Sequence, residues 1–245
     1  MFGRDVAASL NQTIANARKP HSTLTTLIIA TRNSHKVEEI RAILSGPYRY
    51  LTLRDFPDVP AVVEDAETLA GNATKKAVQL AEWLCRSQTR KSKLPASSDG
   101  FVLADDSGLE VDALNGAPGV HSARFAALDN ARDGNSPDAA NNAKLLRLLK
   151  NLPLEKRTAR FRCLLALVKV HPPSTIGETE LFEGACEGRI IEAPRGQNGF
   201  GYDPLFVPDG FEKSFAELGE EIKNQLSHRA KALTKLRQRL LRGPP

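Results

Sequence analysis

Thr26-Leu27-Ile28-Ile29-Ala30, followed at once by Thr31-Arg32-Asn33-Ser34-His35-Lys36, is the stretch on which the fold turns. Its first five residues are apolar and partly β-branched, the composition of a buried strand, and the polar hexapeptide ends that strand abruptly. A helix follows. Val37, Ile40 and Leu44 share one face, Glu38 and Glu39 fall in the first turn, where a helix favours negative charge, and Ser34 is placed to cap it. Strand, polar loop and helix in succession open an α/β fold.

The pattern continues outward from this unit. Ala73, Ala77, Leu80, Ala81 and Leu84 predict a helix over residues 69–85, and the Ser/Lys/Arg stretch from Arg86 to Ser98 reads as an exposed insertion. Phe101 to Ala104 is the next strand, ending at Asp105-Asp106-Ser107-Gly108, after which Leu109, Val111 and Ala113 alternate as in a half-buried strand. Leucine spacing predicts a helix from Asn141 to Leu152. Thr158 to Val170 reads as a long strand, Pro172-Pro173 as the turn out of it, and Thr179 to Cys186 or beyond as its partner. Two long strands joined in this way are most simply an antiparallel hairpin, so the α/β fold has a substantial antiparallel part. The chain closes with a basic helix whose apolar side carries Leu233, Leu236 and Leu240. Residues 1–24 read as an N-terminal extension, a candidate for disorder, and residues 25–245 as the domain.

Composition bounds the function. The chain has 245 residues, 41% of them hydrophobic and 26% charged, which suits one large or two-lobed globular domain. No apolar run approaches the roughly 18 residues that span a bilayer, and the first 24 residues lack the apolar block of a secretory signal. Cys85, Cys163 and Cys186 stand far apart, with no C-x-x-C pair, so a reducing cytoplasm is the expected compartment and no membrane partner is expected. The net charge of +5 is unevenly spread: residues 223–245 hold seven bases and no acid, and the body is mildly acidic. A basic end could suit nucleic acid or a phosphate-rich ligand, although a charge run is usually a solvated face.

Four segments could carry chemistry. The loop Thr31 to Lys36 offers helix N–H groups and the side chains of Thr31, Asn33 and Lys36 to a phosphate, or is only a helix cap. No G-x-x-x-x-G-K-[ST] occurs, which excludes the P-loop mechanism. Asp105-Asp106 could hold Mg²⁺ or deprotonate water, or merely form a turn. Gly196-Gln197-Asn198-Gly199-Phe200-Gly201-Tyr202-Asp203-Pro204 lets the backbone approach a ligand closely and carries two rings able to stack on a base. Lys223 with Ser227-His228-Arg229 supplies donors for phosphate or a base edge, although a His-Arg pair on a helix is ordinarily surface. The serines lack a G-x-S-x-G elbow, and the few His and Cys residues lack zinc spacing.

Taken together and in order, Ala30 to Lys36, the long run Ala104 to Arg124, Asn198 to Pro204 and Ser227 to Arg229 resemble the inosine triphosphate pyrophosphatase family. The resemblance covers roughly residues 26–240. It implies a long central mixed sheet flanked by helices, two lobes with the active-site cleft between them, and a homodimer. It also implies hydrolysis of non-standard purine nucleoside triphosphates (ITP, dITP, XTP) to the monophosphate and pyrophosphate with Mg²⁺. By the same resemblance Thr31, Arg32, Asn33, Ser34, His35 and Lys36 would hold the triphosphate, and Asp106 would be the general base and a metal-linked carboxylate. Ser107 would touch the substrate. Phe200, Gly201, Tyr202 and Asp203 would form the nucleoside pocket, with Lys223, His228 and Arg229 on phosphate or the 6-oxo edge.

Two positions depart from the family pattern. Arg32 stands where Gly is common, and Gly71 where a metal-holding Glu is expected, so the metal would have to draw on Glu64, Asp65 or Glu67, or on Asp105 with Asp106. The alternatives are a nucleotide-binding protein with lost turnover and a pyrophosphatase for other modified nucleotides. A nucleic-acid partner is not expected, since no helix-turn-helix, zinc finger or RNA-binding aromatic signature accompanies the basic helix.

Overall fold

The computed structural model describes residues 24–86, 100–130, 134–171 and 175–242. The N-terminal extension up to residue 23, the insertion beyond Arg86 and the Pro172-Pro173 turn lie outside the described residues. Within them, strands β1 (Thr25–Ile29), β2 (Tyr48–Thr52), β3 (Gly100–Val111), β4 (Thr158–His171), β5 (Thr175–Ile190) and β6 (Phe206–Pro208) form one sheet in the order β2-β1-β3-β4-β5-β6. β1 runs parallel to both neighbours, and from β3 onward every pairing is antiparallel. Helices α1 (Ser34–Leu44), α2 (Leu69–Arg86), α3 (Asp138–Leu149), α4 (Phe215–Leu226) and α5 (His228–Leu241) flank it. This is the α/β architecture with a mixed sheet that the sequence predicts.

Strand β1 has no polar face because helices cover both sides of the sheet there. Ile28 and Ala30, with Val102 and Ala104 of β3, pack against Ala73, Ala77, Leu80 and Leu84 of α2. Leu27 and Ile29, with Phe101 and Leu103, pack on Ile40 and Leu44 of α1 and on Leu233 and Leu236 of α5. Farther along β3 and β4 a separate core gathers Leu109, Val111, Phe161, Leu145, Leu149, Phe206 and Phe215. The polar stretch Asp105 to Gly108 lies between these two cores.

Several local expectations are corrected. Asp105 to Gly108 is not a turn: β4 pairs with every residue of β3 from Gly100 to Val111, and this ladder overrides the turn propensity of Asp and Gly. Ala113 falls outside the strand, in a 3₁₀ turn over Asp112–Leu114. The third helix starts earlier, at Asp138 behind Pro137, and ends at Leu149. The second long strand runs well beyond the expected span, over Thr175–Ile190. Asn33, rather than Ser34, caps α1: its side chain accepts from the Lys36 amide at 3.2 Å, and Ser34 is already helical.

Candidate active site

β1 stops at Ile29, whereas β3 continues to Val111. Beyond Leu103, whose carbonyl still accepts from the Ala30 amide, that edge of β3 has lost its parallel partner. A crevice at the carboxyl end of a parallel strand is where α/β sheets ordinarily bind ligands. Here the polar loop 31–36 enters it from one side. Side chains take over the exposed edge, beginning with Lys76 Nζ, which donates to the Asp105 carbonyl at 2.9 Å.

Successive residues of a strand point to opposite faces. Asp105 therefore faces α1 and α5, where its carboxylate receives Lys36 Nζ at 2.5 Å, Ser107 Oγ at 2.8 Å, Arg229 Nε at 2.8 Å and the Cys163 thiol at 3.3 Å. Burial alone would raise its pKa, but Arg229 and Lys36 outweigh burial and hold it well below the usual carboxylate range. Arg229 is fully buried and also pairs with Glu39, whose other oxygen meets Lys223 Nζ at 2.8 Å. Lys223 in turn lies 2.6 Å from Asp203. One chain of buried charges thus ties the polar loop 31–36, α1, α4, α5 and the glycine-rich loop together. Glu39 and Lys223 are integral to it, and Arg229 is not the surface group that a His-Arg pair on a helix suggests.

Asp106 emerges on the α2 face. Its Oδ1 accepts from Lys76 Nζ at 2.6 Å, and Lys76 also lies 3.3 Å from Glu64 Oε2. Burial raises the Asp106 pKa despite Lys76 and Lys36, whereas Lys76 keeps its proton because Asp106 and Glu64 outweigh its own desolvation. Asp106 Oδ2 is buried and, among the described residues, has no hydrogen-bond partner. A buried carboxylate oxygen left open in this way is suited to a water or a cation. The opposed faces exclude Asp105 and Asp106 as a joint metal pair. Of the acids before α2, Glu64 reaches the site, Asp65 pairs with Lys75, and Glu67 is exposed. Gly71 turns elsewhere: a Cβ there would press on Ala66 Cβ at 2.8 Å and Thr68 Oγ1 at 3.1 Å.

On the Asp105 side, a cavity is bounded by Asn33, Lys36, Ser107, Phe161, Phe200, Tyr202, Lys223, His228 and Arg229, among others. Phe200 is half-buried, and Lys223 Nζ stands 4.5 Å from its ring centroid. Tyr202, the second ring of the loop, is buried and donates its hydroxyl to the Ser122 carbonyl at 2.9 Å, so it frames the cavity. Gly201 sits at φ 62° and gives its amide to Asp138 at 2.6 Å. Asp203 accepts the Phe200 amide at 2.9 Å and fixes the loop from within. His228 stacks on Phe161 at 4.8 Å. Burial, reinforced by Arg229 and Lys223, pushes its pKa well below the usual value, so it is a neutral imidazole, and its Nδ1 is unpaired among the described residues. In the polar loop 31–36 Thr31 Oγ1 accepts from the Asn33 amide at 3.2 Å, while Arg32, Ser34 and His35 are exposed.

Lys76 was legible but missed. It falls on the apolar stripe of α2, three residues after Ala73 and four before Leu80, and a lysine on a buried helix face signals a partner. Glu39 gives no such signal: it lies off the stripe of Val37, Ile40 and Leu44, and its burial follows from the approach of Lys223 and Arg229.

A mixed sheet, a helix-capped polar loop and a ring-lined cavity with convergent cations belong together in α/β proteins that bind nucleotides. The chain belongs to the Ham1 family, whose model matches residues 27–239. It is 48% identical over 211 residues to the dITP/XTP pyrophosphatase of Geobacillus kaustophilus, covering 86% of this chain and 91% of that protein. To the dITP/XTP pyrophosphatase of Geobacter sulfurreducens it is 47% identical over 218 residues, or 89% and 97% of the two chains. Among solved structures, a HAM1 protein from Coxiella burnetii matches with a TM-score of 0.71 at 33% identity, over 90% of this chain and 100% of that one. The Ham1 protein of Staphylococcus aureus matches with a TM-score of 0.69 at 34% identity, over 89% and 100%.

Proposed function

We propose that the protein hydrolyses the non-standard purine nucleoside triphosphates ITP, dITP and XTP to the monophosphate and pyrophosphate, clearing them from the nucleotide pool. The observation that carries this reading is the open Oδ2 of the buried Asp106 carboxylate, held beside Lys76 in the crevice that the phosphate loop enters. Relatives named dITP/XTP pyrophosphatases support it.

In this reading Phe200 stacks on the base, and the triphosphate runs along Asn33 and Lys36 toward Asp106. Asp106 takes a proton from a water that attacks the α-phosphorus, and pyrophosphate leaves as the phosphoric anhydride bond breaks. Lys76 holds the base in place and, with Lys36, offsets negative charge on the phosphates. His228 and Arg229 offer donors to a 6-oxo group. An adenine amino group would set donor against donor and leave buried polar groups unpaired.

The residues present offer Mg²⁺ one open ligand and a second carboxylate nearby. Asp106 Oδ2 is open and Glu64 is the second carboxylate across Lys76, and Mg²⁺ is commonly bound through one or two carboxylates plus substrate phosphates. When bound it would supply charge neutralisation on the phosphate oxygens. In this reading Glu64 serves where Gly71 offers no carboxylate, and a nucleotide-binding protein with lost turnover is the second reading, favoured by Gly71 itself. The reading further includes a homodimer working in the cytoplasm. Among the described residues no helix is long and apolar enough to cross a membrane.

The test is incubation with ITP, GTP, ATP and dTTP, with and without Mg²⁺, measuring pyrophosphate and monophosphate separately. Mg²⁺-dependent pyrophosphate from ITP well above the others is the expected result. Orthophosphate alone, or a preference for ATP, would overturn the assignment, and a preference for another modified nucleotide would move it to that substrate.

A further inference from the structure

His35 does something other than its place in the phosphate loop suggests. Its imidazole lies nearly parallel to the Phe200 ring, with centroids 5.3 Å apart and planes 13° apart. The two residues are far apart in sequence, and the contact joins the first turn of α1 to the glycine-rich loop. Phe200, Lys223 and Arg229 all border the cavity, but His35 does not. The stack therefore adds to the Phe200 ring a contact from a residue that does not itself border the cavity.

That ring needs support. The loop carries Gly196, Gly199 and Gly201, all at positive φ, and Asp203 pins the Phe200 amide without constraining its side-chain torsions. Lys223 Nζ and the Arg229 guanidinium also lie 4.5 and 5.9 Å from its centroid, but these point contacts fix its plane less than a flat ring does, and immobilising a half-buried ring on ligand binding would weaken affinity. An offset aromatic stack holds a ring in one plane before the ligand arrives.

We propose that His35 is a positioning residue for the nucleoside: it braces Phe200 so that the ring is presented ready-oriented to a purine, and it couples the phosphate-loop helix to base recognition. The inference rests on the proposed reading of the cavity as the nucleoside site. It gives this chain an aromatic contact across the crevice in place of a sixth phosphate-loop ligand.

The experiment compares the wild type with His35→Ala and His35→Phe by calorimetric titration without added Mg²⁺, using ITP, IMP and inorganic tripolyphosphate, with thermal unfolding as the folding control. The brace predicts that His35→Ala binds ITP and IMP about three- to tenfold more weakly. It predicts unchanged tripolyphosphate binding, and restoration of nucleotide affinity in His35→Phe, which keeps the ring and loses the nitrogens. Weakened tripolyphosphate binding in both variants would make His35 a phosphate ligand and overturn the proposal, as would unchanged nucleotide affinity in His35→Ala. A wild type that binds tripolyphosphate but neither ITP nor IMP would overturn the nucleoside reading itself, which the variants are not needed to reveal.

Discussion

Asp105 and Asp106 are adjacent in β3 and turn their carboxylates to opposite faces of the sheet, Asp105 to Arg229 and Lys36, Asp106 to Lys76. Strand alternation thereby divides one dipeptide into two jobs. Asp105 has both carboxylate oxygens engaged by donors, while Asp106 keeps one oxygen open. Replacing Asp106 with Asn removes the base at nearly constant volume, and turnover of ITP should fall about 10²- to 10⁴-fold with thermal unfolding little changed. Asp105→Asn should do the reverse in kind, lowering stability by about 3 kcal/mol because Arg229 and Lys36 lose a buried counter-charge. Denaturant unfolding of both variants beside their ITP kinetics checks the division. Equal loss of turnover with equal stability in the two would contradict it.

Glu64, not position 71, should govern the metal requirement. Glu64→Gln is expected to raise the Mg²⁺ concentration needed for half-maximal ITP hydrolysis by about tenfold or more, since one of two carboxylates is lost. Gly71→Ala should leave that concentration unchanged and cost about 1 kcal/mol of stability, because the new methyl is pressed against Ala66. Mg²⁺ titrations of the two variants separate these positions, and a shifted requirement in Gly71→Ala would return the metal site to the start of α2.

The strand, loop and helix at residues 26–44 and the hairpin partners were readable because each is a local pattern of burial, repeated by the tertiary contacts. The middle of β3 was not readable, since Asp-Asp-Ser-Gly has turn chemistry and only the long ladder with β4 keeps it extended. The role of the basic final helix was not readable for a related reason. Lys231 and Lys235 donate to the Ala185 and Glu183 carbonyls at 2.8 and 2.7 Å, and Arg239 pairs with Glu180. These cations, spaced four residues apart, line the edge of β5 beyond its short pairing with β6, a use that composition cannot distinguish from a nucleic-acid surface. The site motifs were visible as segments and Lys76 lies on the legible apolar stripe of α2, but Glu39 lies off the stripe of its helix and only the packing of α4 and α5 buries it.

Gly184 sets how closely α5 approaches the sheet. A Cβ at this position of β5 would collide with the His228 carbonyl oxygen and lie 2.6 Å from the Ala232 amide nitrogen, and these are backbone atoms that cannot rotate away. His228 and Arg229 open α5, so displacing that helix withdraws both from the cavity. Gly184→Ala should cost about 1–3 kcal/mol and raise the KM for ITP, and Gly184→Val should do so more severely. A Gly184→Ala protein with the wild-type unfolding temperature and KM would mean that α5 is free to move.

Glu39 links stability to pH. Burial pushes its pKa up, but Arg229 and Lys223 outweigh burial and leave it below the ordinary value of 4.5. A carboxyl that ionises more readily folded than unfolded stabilises the native state above its unfolded pKa, and that contribution disappears as pH falls through the folded value. Glu39→Gln removes the charge at every pH. At pH 7 the wild type should exceed this variant by about 3 kcal/mol, since Arg229 and Lys223 each retain another carboxylate but lose a shared one. The gap should hold down to about pH 4.5 and narrow below it as Glu39 takes up its proton. Urea unfolding of both proteins at a series of pH values gives the measurement. A gap that stays constant into the acid range would show that the Glu39 charge is not what the network uses, and that its hydrogen bonds alone hold Arg229 and Lys223.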